Sequence, residues 1–97
     1  MNEQLENAIS ALSHQLTDLE TMIETYHEQH NHVRDDLLIV NRMLKQCTRM
    51  KTPNGLKQSI EDHQCLLAGT LSAFKTQIKD CKLEQTRIVR ALSILNV

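Results

Sequence analysis

With 97 residues the chain has room for one domain, and its aromatic complement, Tyr26 and Phe74 with no Trp, lacks the bulky anchors of a compact globule. Two Gly and one Pro are too few turn formers for a sheet protein, and Leu, Glu, Gln, Lys and Arg favour helix, so the fold class is all-α. A net charge of -1 argues against nucleic-acid binding by bulk charge, although the distribution is uneven. Residues 1–36 carry eight acids and one base, whereas residues 37–57 carry five bases and no acid.

The chain opens on polar and acidic residues without an apolar signal segment. From there one periodicity dominates: Leu5, Ile9, Leu12, Leu16, Leu19, Ile23, Tyr26, His30, Val33, Leu37, Val40, Leu44, Cys47. The spacing alternates four and three, which puts one narrow apolar stripe along a helix and requires a supercoiled partner. With Ile9 at heptad position a, Leu12 is at d. This predicts a first helix over about residues 3–51.

Thr52-Pro53-Asn54-Gly55 is the strongest breaker cluster, since Pro cannot continue a helix interior and Asn-Gly tolerates positive φ. Ser59, with Asp62 three residues on, has the pattern of a weak capping box. A turn over residues 52–59 follows from these signals. The second stripe then runs through Ile60, Gln64, Leu67, Leu71, Phe74, Ile78, Cys81, Gln85, Ile88, Leu92 and Leu95, predicting a helix over about 60–96.

Two heptad helices joined by a short loop fold back as an antiparallel hairpin, a single coiled-coil domain spanning 1–97. In such a pair a faces d, so facing residue numbers have a constant sum. A sum of 111 makes Tyr26 face Gln85 and His30 face Cys81, so that these four residues form polar, register-setting layers. The alternative, 104, sets His30 against Phe74 and Gln85 against Leu19, and each unpaired polar group in an apolar seam costs about 1–3 kcal/mol. The expectation is therefore 111.

That register leaves apolar residues uncovered. Residues 1–13 extend past the second helix, with Leu5, Ile9 and Leu12 continuing toward Leu16. Off the stripe lie Met22, Leu38, Ile39, Met43, Met50 and Leu66. These residues predict a protein interface, and a two-helix hairpin seldom stands alone, so the hairpin is expected to enter a four-helix bundle or a longer coiled coil.

No chemistry-bearing arrangement is expected. His27, His30 and Cys81 are ligand types that suit zinc, but the paired spacings of metal motifs are missing, and the reading is a seam His among solvated neighbours. Ser10, Ser13 and Ser72 lie on helices without adjacent catalytic partners, and there is no glycine-rich phosphate loop. No cofactor and no small-molecule substrate are expected. The basic group Arg42, Lys45, Arg49, Lys51 and Lys57 has no interleaved aromatics for base stacking and suits the C-terminal dipole of the first helix. No stretch approaches the roughly 20 apolar residues of a membrane span. Three cysteines in helical pattern point to reduced thiols in the cytoplasm, the nucleus remaining open.

The functional expectation is a non-enzymatic structural or adaptor subunit that assembles with a second copy or a helical protein partner. A small chaperone masking an amphipathic segment of a client is the alternative. One continuous helix kinked at Pro53, in a long parallel dimer, is the third.

Overall fold

The computed structural model describes residues 3–96. Helix α1 spans Glu3–Arg49 and helix α2 spans Asn54–Leu95, and the two form an all-α helical hairpin. The hairpin replaces the single kinked helix, because residues 50–53 break the helix completely. Among the described residues, no helix is long and apolar enough to cross a membrane.

The turn is shorter than its sequence signals predict, occupying 50–53 rather than 52–59. Pro53 opens α2 instead of interrupting a loop: its carbonyl accepts from the N–H groups of Leu56 and Lys57, each at 3.1 Å. A residue at a helix start needs no N–H of its own, so the proline ring costs nothing there. Asn54 and Gly55 join the first turn with negative φ. Ser59 is therefore interior, its hydroxyl donating to the Gly55 carbonyl at 3.1 Å, and Asp62 accepts from Gln58 Nε2 at 2.9 Å. Neither residue caps a helix. On the other side of the turn, Met50 N–H still donates to the Gln46 carbonyl at 2.9 Å, and Thr52 Oγ1 donates to the Met50 carbonyl at 2.8 Å.

The chain divides into two compact units. The turn unit comprises residues 28–75, with the end of α1, the turn and the first half of α2. The terminal unit pairs the first part of α1, up to His27, with α2 from Thr76 onward.

Within the turn unit the register is fixed by a side-chain hydrogen bond. Gln64 Nε2 donates to Asn41 Oδ1 at 2.6 Å, between residues whose numbers add to 105. This matches the sum near 104, in which Gln64 faces Val40, and not 111, in which it faces Cys47. Within the terminal unit a groove is lined by Gln15, Asp18, Leu19, Met22, Glu84 and Ile88, which again puts α2 one heptad away from the 111 alignment. Both alignments keep a facing d, so the stripe cannot choose between them. A turn ending at Pro53 chooses, because it brings Asn54 level with Arg49.

The covered residues follow the predicted stripe. Among the described residues Val40 and Leu67 are buried in the turn unit, and Ile78, Cys81 and Ile88 in the terminal unit. Half-buried positions of α1 are otherwise the a and d positions, Asn41 excepted. Polar residues off the stripe satisfy themselves locally. Thr17, Thr21 and Thr25 donate to carbonyls four residues back at 3.0–3.2 Å, which lets Thr sit in mid-helix without competing for the ladder.

Candidate protein-interaction surface

Heptad position and register together decide which exposed side chains share a flank. In an antiparallel pair, positions g and c of both helices line one flank, and positions e and b line the other. The two grooves obey this rule. The terminal-unit groove is lined only by residues at c, d and g. A groove in the turn unit is lined by Leu38, Asn41, Arg42, Leu44, Lys45, Thr48 and Gln64, all at a, b, e or f.

On the g and c flank of the turn unit, five large apolar side chains are open to solvent: Ile39 (54%), Met43 (42%), Met50 (68%), Leu56 (56%) and Leu66 (66%). The register makes rows of them. Leu66 is level with Ile39, Leu56 is level with the turn beside Met50, and Met43 lies between. From Ile39 to Met50 the strip covers about 16 Å of helix. Its other members are Gln29, His32, Asp36, Gln46, Ser59, His63, Thr70 and Ala73, so one acid and no Lys or Arg interrupt it. Exposed apolar side chains at isolated positions need no explanation, but a contiguous strip on a charge-poor flank marks an interaction surface.

The sequence-derived interface residues therefore separate. Ile39, Met43 and Leu66 belong to this strip, together with Met50. Leu38 is exposed on the opposite flank, in the groove with Arg42 and Lys45. Met22 lies in the terminal unit, in the groove with Leu19 and Ile88. Leu5, Ile9, Leu12 and Leu16 are half-buried. The shorter turn draws α2 one heptad further back along α1, so that Leu95 reaches the level of Ile9 and Leu92 that of Leu12. Most of the N-terminal overhang disappears, and of these four residues only Leu5 lies beyond the level of Leu95.

The expected polar layers are also rearranged. Tyr26 and Gln85 are both half-buried, but the register sets Tyr26 level with Ile78 and Gln85 level with Leu19. Cys81 is buried at the level of Ile23. His30 is half-buried at the level of Phe74, and its Nε2 is buried with no hydrogen-bond partner. The polar-pairing argument failed at Gln64, whose long amide reaches past the seam to Asn41 at position e. That partner removes a penalty that a seam-only comparison charges to this register.

Leu56, Leu83, Val89 and Ile94 are exposed apolar residues that the sequence reading missed. Leu56 was masked by assigning it to the turn. The other three fall off the stripe at f, e and c, and are visible only when α2 is scanned position by position.

Charges mark the ends of the turn unit. Arg34 Nη2 lies 3.6 Å from Asp35 Oδ1, both half-exposed, and Asp36 has no ion pair among the described residues. The tip cations Arg42, Lys45, Arg49, Lys51 and Lys57 have none either among those residues. No cluster of three or more His, Cys, Asp or Glu suited to a metal ion occurs among the described residues.

The fold thus defines the class, an all-α helical hairpin. Compared with protein-family models, with curated proteins and with solved structures, the chain has no significant match.

Proposed function

We propose that the chain is a non-enzymatic structural or adaptor subunit that assembles with other helices through the g and c flank of its turn unit. The observation carrying this reading is the strip of Ile39, Met43, Met50, Leu56 and Leu66, which the hairpin itself leaves uncovered. Water disfavours such a strip by about 25 cal/mol for each Å2 of apolar surface. A second hairpin, from another copy or another helical protein, covers it in the geometry of a four-helix bundle. The three cysteines, none of them in a disulfide, fit a reducing compartment such as the cytoplasm.

The test is the double variant Ile39→Asp with Leu66→Asp, followed by light-scattering mass on the purified chain and on its complexes in native extract. Two side chains each forgoing about 1.5 kcal/mol should weaken assembly by about 100-fold or more, with helix content unchanged by circular dichroism. Unaltered mass and unaltered complexes would reject the flank as the interface.

A second reading draws on Met43 and Met50. Flexible thioethers adapt to varied apolar surfaces, which suits a chaperone-like subunit whose clients exchange. Subunit exchange between labelled and unlabelled assemblies separates the two readings: a constitutive subunit retains its label, and a chaperone loses it within minutes.

A further inference from the structure

The assembly reading above leaves the occupant of the flank open, and this inference rests on that reading. The geometry points to a second copy of this chain, docked antiparallel across the g and c flank of the turn unit about a two-fold axis near Met43.

A strip meets its own copy in an isologous contact only when it is self-complementary. Turning this one end for end about Met43 brings Ile39 of one copy to the level of Cys47 of the other, about 4.5 Å along the helix from Met50. The same rotation brings Leu66 to the level of Leu56, and Met43 to that of its own counterpart. Leu66, Leu56 and Met43 thus each meet an exposed apolar residue at their own level, and Ile39 and Met50 come within about one helical turn of each other. The parallel arrangement also matches apolar to apolar, so hydrophobicity alone does not select a direction.

Charge selects it. One end of the unit's α1 segment carries Asp36 beside the Arg34–Asp35 pair, and the other end carries Arg49, with Lys51 in the turn. Parallel docking stacks the cationic tips of both copies together. Antiparallel docking brings Asp36 of each copy to within one residue of the level of Lys51 of the other, twice over by symmetry. Both side chains are exposed and free of ion pairs among the described residues. Arg42 comes near its own counterpart on the outer edge of α1, where water and salt screen the repulsion.

A charge swap in the full-length chain tests this. Asp36 and Lys51 lie fifteen residues apart, about 20 Å along one hairpin arm and roughly two screening lengths, so they do not couple within one copy. Sedimentation equilibrium at about 0.1 M salt should find a wild-type dimer. Asp36→Lys and Lys51→Glu should each raise its dissociation constant by roughly ten-fold, because each change spoils two symmetry-related pairs. The double variant Asp36→Lys with Lys51→Glu should return to within about two-fold of wild type, and circular dichroism checks that helix content is constant throughout. A dimer in which the two losses simply add overturns the antiparallel docking but leaves the assembly reading standing. A wild-type chain that stays monomeric at high concentration overturns the second copy as occupant. The Ile39→Asp with Leu66→Asp comparison in native extract then judges the assembly reading by itself.

Discussion

The terminal unit and the turn unit are built from the same heptad pattern, yet they spend their apolar residues differently. On its g and c flank the terminal unit carries Asp18, Asp80, Glu84 and Arg87, and its exposed large apolar residues there are Met22 and Ile94, separated by about 18 Å of helix. Its buried residues, Ile78, Cys81 and Ile88, all lie in the seam. The turn unit has a flawed seam, with His30 Nε2 unpartnered and Gln64 bonded sideways to Asn41, and a flank that exposes five large apolar residues. The exposed apolar residues of the terminal unit are scattered over several faces, whereas those of the turn unit gather on one flank.

Seam truncation in the terminal unit should have the largest effect on this contrast. Ile88 is 4% exposed, and Ile88→Ala should cost about 2–4 kcal/mol, independent of protein concentration, because no partner covers the loss. Urea melts of wild type and variant at two concentrations check this, and a difference between the two that varies with concentration would mean that the terminal unit also assembles.

The flaws in the turn unit's seam should move in opposite directions. Replacing His30 by Leu removes a buried nitrogen without a partner and should stabilise the hairpin by about 1–2 kcal/mol. Asn41→Ala, which leaves the Gln64 amide without its partner, should cost about 1 kcal/mol. Denaturant midpoints for both variants test whether the polar seam is a cost in one place and satisfied in the other. Equal shifts of the same sign would erase the distinction.

The smallest effect is expected at Gly69. A Cβ at this helical position meets nothing within 4 Å, so Gly69→Ala should gain about 0.5–1 kcal/mol from backbone entropy alone. Thermal melting measures it. A loss instead would mean that the outward side of α2 near Gly69 is covered in the assembled protein.

The two stripes, from Leu5 to Cys47 and from Ile60 to Leu95, were readable because a 3.5-residue repeat has one physical solution, a helix paired along its seam. The break near Pro53 was readable for the same kind of local reason. The position of the turn was not, since a proline reads equally as the middle of a loop or as the first residue of a helix. That ambiguity moved the register by one heptad, and with it the facing partners of Tyr26, His30 and Gln85 and the apparent overhang at Ile9 and Leu12.

The outer strip was half legible. Ile39, Met43 and Leu66 stand out as apolar residues off the stripe, but the sequence does not reveal that Leu38 is on the opposite flank from them, or that Leu56 completes a row with Met50. Periodicity along each helix is a local property, written into side-chain spacing, and the sequence alone determined it. Levels across two helices depend on where the chain reverses. Only the folded hairpin decided those, because a shift of seven residues leaves every a and d contact intact while exchanging every neighbour.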